Sequence, residues 1–194
     1  RRTSIPEDLY PTAFIRDRAI AYLSEPATGP RFTFVSFPDP HHPFTPPGKY
    51  WDMYHPDQFE IECPYEAHRN PPPHLMGALK KLQDGSRQVN VQNSFMATDR
   101  EICEARALTA GMITMVDDAI GDILATLEAS GEIENTIIIF TSDHGDYLGD
   151  LNMLLKGPNP RRSVNNVPFI WADPSDRVAS RRNDLASAID IAPT

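Results

Sequence analysis

Apolar positions along the chain fall into a few runs of distinct period. Over residues 11–24, PTAFIRDRAIAYLS, the side chains of Phe14, Ile15, Ala19, Tyr22 and Leu23 recur at helical spacing and predict a helix with one broad apolar face. Pro11 suits its first turn, where the missing N–H would have no partner anyway. The stretch EPATGP then interrupts the chain. Residues 31–37, RFTFVSF, predict a strand, and Phe32, Phe34, Val35 and Phe37 place apolar groups on both of its faces, the pattern of a central parallel strand. The longest helical period covers residues 99–129, where Leu108, Met112, Met115, Ala119, Ile123 and Leu127 repeat every three or four positions and Gly131 supplies a stop. Two short apolar strands follow, Ile137–Phe140 and VPFIWA at 167–172. Strand, helix, strand order predicts an α/β domain with a mainly parallel sheet.

Between the first strand and the long helix the periodicity fails. Residues 38–73 hold ten of the 19 prolines, which fix φ and remove backbone donors. The aromatic residues there, among them Phe44, Tyr50, Trp51 and Tyr54, oppose disorder, so this stretch reads as a long ordered loop packed on its own side chains.

Composition narrows the function classes. A net charge of −9 over 194 residues excludes a basic nucleic-acid surface. Cys63 and Cys103 do not form a C-x-x-C pair, which removes a thiolate metal site and leaves a single disulfide open. No apolar run reaches the roughly 18 residues of a membrane helix, and no targeting segment is visible, so compartment is not indicated. The chain opens on Arg1 and ends within the apolar run AIDIAPT, which reads as a piece of a larger domain.

Ligands of open α/β sheets sit beyond the carboxyl ends of the strands. Two of the predicted strands end in candidate chemistry there, PDPHHPF and TSDHGD. Asp143 and His144 offer a carboxylate and an imidazole, ordinary donors to a divalent ion, and both can face one ion only where the strand ends and the backbone turns at Gly145. The plainer alternative is a polar strand end with a cap. Lys156, after the apolar triplet Met153–Leu155, is either held against the protein facing an anion or simply solvated. His41 and His42, clamped between Pro40 and Pro43, suit a positioned donor, and chemistry alone does not choose between them. Asp117 and Asp118 are adjacent on the long helix, so they do not share a face, and one of them is expected to pair locally.

Four blocks in order, FPDPHHPFTPPGKYWDMY, MITMVDDAIGDILATLE, TSDHGDYLGD…LLKGP and the closing DIAPT, together resemble the sulfatase family of the alkaline-phosphatase superfamily. The resemblance runs from about residue 31 to the end. It implies a mixed, mainly parallel sheet sandwiched by helices, with residues 1–194 as an incomplete part of one catalytic domain. It implies hydrolysis of sulfuric esters, or of phosphonate monoesters and phosphodiesters in close relatives. By the same resemblance Asp143 and His144 are ligands of a divalent ion, calcium in most members and manganese or magnesium otherwise. Lys156 holds a sulfate oxygen. The family's P-H-x-P pattern selects His41, which binds the ester oxygen and helps protonate the leaving group.

Three departures accompany the resemblance. The family's C/S-x-P-x-R nucleophile motif, whose Cys or Ser becomes formylglycine, is absent: Cys63, Ser4 and Ser36 each lack the arginine. The family's Asp-Asp metal pair is also absent, and both belong upstream in the family's order. In addition Leu151 and Asn152 stand where many relatives have His-Gly, a departure that bears on substrate contacts in this loop. The 194 residues alone are therefore expected to hydrolyse nothing, with the nucleophile supplied from upstream. A shortened protein that only binds an anion or a partner is the alternative from another class.

Overall fold

The structure is a computed structural model that describes residues 2–90, 92–157, 161–176 and 178–192. Its spine is a pair of helices. Helix α1 spans Pro11–Ser24 and begins where the extended Tyr10 meets Pro11. Helix α3, Asp99–Ser130, is fixed at both ends. The Thr98 hydroxyl accepts the Glu101 N–H while the Glu101 carboxylate accepts the Thr98 N–H at 2.8 Å, and Gly131 closes the helix in the left-handed region at φ +75°.

Ala19 and Leu23 of α1 pack against Ile123 and Leu127 of α3. Further along α3, Ile102 and Met112 are fully buried, each contributing about 1.5–3 kcal/mol. The long helix thus lies where its period places it. The face of α1 is narrower than its sequence suggests: Thr12, Ala13, Ala19 and Leu23 are buried, whereas Phe14 and Tyr22 are exposed.

The proline-rich segment packs on α3. Pro46 and Pro47 are among the most buried side chains. Tyr50 donates its hydroxyl to Asp118 at 2.7 Å, and Tyr54 bonds Thr114 at 2.8 Å. Asp118 therefore pairs with a residue distant in sequence, not locally. Gly111 makes the contact possible, because a Cβ there would collide with the Tyr50 carbonyl oxygen. A helix absent from the sequence reading, α2 at Pro73–Gln83, follows this segment and buries Leu75.

The strands are short. Strand β1, Phe95–Met96, pairs antiparallel with β3, Met153–Leu154. Strand β2, Ile138–Thr141, pairs antiparallel with β4, Phe169–Ala172, in the register Ile138 to Ala172 and Thr141 to Phe169. A four-residue helix α4, Arg162–Asn165, precedes β4.

Residues 31–37 form no ladder, which corrects the expectation of a central strand. Val35 and Phe37 pack on the α1–α3 cluster, while Phe32 and Phe34 are 84% and 81% exposed. The segment is extended and half-packed. A parallel pairing with β2 would use α3 as its crossover, but among the described residues both strand pairs that form are antiparallel. Cys63 and Cys103 are free thiols.

Candidate functional site

Strand β2 ends at Thr141, and the backbone then folds tightly on itself. The Ser142 hydroxyl donates to the His144 carbonyl at 2.9 Å, and the His144 N–H donates to Asp143 Oδ1 at 2.8 Å. His144 Nδ1 lies 2.9 Å from the Gly145 carbonyl oxygen. A carbonyl can only accept, so the proton sits on Nδ1 and leaves a lone pair on Nε2. That Nε2 stands 3.4 Å from Asp143 Oδ2.

The turn thus brings one nitrogen and one oxygen donor within 3.4 Å of each other. Burial pushes the Asp143 carboxyl up, but the His144 N–H, the charge of the His144 ring when it is protonated and the Ser142 hydroxyl outweigh it and hold it below the ordinary carboxylate range. Gly145 is needed for proximity and not for an unusual φ: its N–H donates to the Val164 carbonyl at 2.7 Å, and a Cβ would strike the Ser163 carbonyl oxygen.

From Gly145 the chain loops back to Lys156 through an unusual conformation. Leu148, Leu151, Asn152 and Leu155 all have positive φ, between 41° and 65°. Such angles cost of order 1–2 kcal/mol for a residue with a Cβ and persist only where surroundings enforce them. The surroundings here are specific. Arg106 of α3 donates to the Leu148 carbonyl at 2.8 Å and also bonds the Glu60 carbonyl. The Leu151 N–H reaches the Cys63 carbonyl at 2.7 Å.

Asn152 accepts from the Tyr65 N–H and donates to Asp99, each at 2.8 Å. Leu151 is buried. The two residues that depart from the His-Gly pattern therefore serve as loop anchors. The triplet Met153, Leu154, Leu155 is buried throughout, so Lys156 leaves the loop from a fixed base.

His41 and Lys156, with His42, Gln92 and Leu155, line one cavity of about 280 Å³. His41 Nδ1 sits 2.6 Å from the His42 carbonyl oxygen, which fixes its proton there and frees Nε2. The two imidazoles stack with centroids 4.0 Å apart. Upstream, the Asp39 carboxylate accepts the buried Thr12 hydroxyl and tethers the histidine turn to α1, with burial raising its pKa above the ordinary carboxylate range.

Asp143 and His144 do not line this cavity; they stand beyond β2 as a separate pair. Asp146 follows in the same loop. Its carboxylate accepts the Leu148 N–H at 2.8 Å. Burial nevertheless raises its pKa.

Among the described residues no cluster of three or more metal-ligating side chains occurs. Asp143 and His144 are two donors, fewer than the six to eight a calcium ion takes, and their chemistry suits a divalent ion that draws its other ligands elsewhere. No described helix is long and apolar enough to cross a membrane. A second cavity, of about 220 Å³, lies behind the loop between Tyr147, Leu151 and Met153, with Arg161 and Arg162 on its wall.

The chain has relatives among known proteins. The chain is 31% identical to an arylsulfatase of Clostridium perfringens (strain 13 / Type A) over 97% of its own length and 38% of that protein's. It is also 31% identical to the multifunctional alkaline phosphatase superfamily protein PehA of Trinickia caryophylli, over 98% of this chain and 38% of that one. The structure superimposes on the phosphonate monoester hydrolase of Agrobacterium radiobacter with a TM-score of 0.71 at 29% identity, covering 90% of this chain and 35% of that one.

The chain therefore spans about two-fifths of the length of these relatives. Its fold is that of the alkaline-phosphatase and sulfatase enzymes, as the sequence leads one to expect. The Sulfatase family model matches residues 3–194, and the chain belongs to the sulfatase family.

Proposed function

We propose that the full-length protein is a metal-dependent hydrolase of sulfuric esters, with residues 1–194 as part of its single catalytic domain. The observation that carries this reading is the cavity shared by His41 and Lys156, residues 115 positions apart in sequence. Lys156, on its buried base, holds an ester oxygen and stabilises charge developing on it. His41, with Nε2 free of intramolecular bonds to the His42 carbonyl, binds the bridging oxygen and passes a proton to the departing alcohol when protonated. Asp143 and His144 hold the divalent ion, calcium by family resemblance, with manganese and magnesium as the other choices. That ion, when bound, supplies Lewis-acid stabilisation of the ester oxygens. The formylglycine nucleophile is assigned to a segment outside these residues.

A phosphonate monoester substrate is the second reading. It is favoured by the 29% identity and TM-score of 0.71 to a phosphonate monoester hydrolase, and the same donors fit a tetrahedral phosphoryl centre. Turnover of paired aryl sulfate and aryl phosphonate monoesters by the full-length protein, compared as kcat/KM, decides between them. His41→Ala and Lys156→Ala are each expected to lower kcat/KM at least about 100-fold. A full-length protein that cleaves neither ester contradicts both readings.

A further inference from the structure

Among the described residues none of α1 lines the cavity of His41 and Lys156, yet the start of this helix grips the histidine turn at two points. Thr12, the second residue of α1, is buried and donates its hydroxyl to the Asp39 carboxylate, two residues before His41. Tyr10, which begins the helix, donates its hydroxyl to the Thr45 carbonyl at 3.4 Å, four residues after His41. The His41 N–H donates to the Pro38 carbonyl at 3.0 Å, so Asp39 lies inside a four-residue turn that ends on His41. A shift of Asp39 therefore moves His41.

The grips start from a rigid base. Tyr10 is buried with Tyr50 and Met115, and Ala19 and Leu23 hold α1 against α3. The first turn of α1 has no acidic residue of its own and no side-chain cap. The Asp39 carboxylate brings a negative group to that turn from outside, where the positive end of the helix favours it.

We propose that Thr12 and Asp39 are positioning residues, whose bond, seconded by Tyr10, holds the His41 imidazole where it reaches the bridging oxygen of the ester. This rests on the reading of His41 as proton donor to the departing alcohol. In that reading the protonated imidazole gives its Nε2 proton to the bridging oxygen as that oxygen leaves. The ring returns to the neutral form with its remaining proton on Nδ1, against the His42 carbonyl. A reacting group displaced by about 1 Å loses on the order of 100-fold in rate. The loss falls on esters whose leaving group needs the proton, because a weakly basic phenolate departs without it.

The test uses the full-length protein and two sulfate esters, one of a nitrophenol and one of phenol, and reads the ratio of their kcat/KM. That ratio does not depend on how much of the protein is folded. His41→Ala should raise the ratio of nitrophenyl to phenyl ester by about tenfold or more. Thr12→Val, which keeps the shape and removes the donor, should raise it by about fivefold or more, through kcat for the phenyl ester and with KM little changed. Thr12→Ser, which keeps a hydroxyl, should stay within about twofold of the unsubstituted protein. In the His41→Ala protein Thr12→Val should leave the ratio where it is, since no donor remains to be placed.

Thr12→Val that lowers both esters by the same factor would overturn the proposal, since that is the mark of a bond that only braces the fold. So would a change of ratio that is as large without His41 as with it. If Thr12→Val yields no folded protein, Tyr10→Phe removes the second grip and keeps the ring, and an unchanged ratio in that variant overturns the proposal. If neither ester is cleaved, or if His41→Ala leaves the ratio unchanged, the hydrolase reading of His41 falls first and the positioning role falls with it.

Discussion

Asn152 and Asp99 are joined by a 2.8 Å hydrogen bond between the loop that carries Lys156 and the first turn of α3. The same amide accepts the Tyr65 N–H, so one side chain ties three segments together. Asn152→Ala removes both bonds and leaves an alanine at φ +58°. It is expected to destabilise the chain by about 2–3 kcal/mol in denaturant unfolding. Asn152→Gly loses the same bonds but not the backbone preference, and should be milder by about 1 kcal/mol. Equal losses would show that the backbone angle carries no cost.

Two glycines are expected to respond to alanine with opposite signs. Gly145→Ala drives a methyl group into the Ser163 carbonyl, a backbone atom that cannot step aside. It should cost about 1–3 kcal/mol and displace His144. Gly121 is exposed inside α3 with open space around it, so Gly121→Ala should stabilise by about 0.5–1 kcal/mol. Thermal melting of the two variants checks both.

The acid limb of stability should report Glu101. Its carboxylate accepts Arg87 at 2.6 and 2.8 Å, with the Thr98 cap behind it. Hydrogen bonding from Arg87, opposed by burial and reinforced by Thr98, lowers its pKa from 4.5 to about 2. A depressed carboxylate pKa stabilises the folded state above the unfolded value, and this contribution is lost as pH falls from about 4.5 towards 2. Because the Glu101 side chain is 39% exposed, solvent screening reduces the effect to about 1–2 kcal/mol. Arg87→Met should flatten the pH dependence of unfolding in that window. An unchanged slope would contradict the assignment.

Much of this was legible from side-chain period. Helix α1 occupies residues 11–24 as its spacing requires, and α3 differs from its expected end by one residue. The sequence singles out His41 and Lys156, and both line one cavity. Other features needed tertiary contacts that no window of sequence contains. RFTFVSF reads as a strand buried on both faces, but only Val35 and Phe37 find partners. The left-handed turns at Leu148, Leu151 and Leu155 contradict local preference, since leucine avoids positive φ, and they depend on Arg106 and the Cys63 carbonyl. Asp146 is visible only as an acid directly after Gly145, and its bond from the Leu148 N–H arises only when the loop folds back.

The central claim is that the end of β2 supplies two ligands to a divalent ion, and calcium titration of the full-length protein by calorimetry tests it most directly. The account predicts saturable binding by the unsubstituted protein, weakened at least about tenfold by Asp143→Asn and by His144→Ala, with folding retained. Calcium, manganese and magnesium binding that is unchanged in both variants would contradict it.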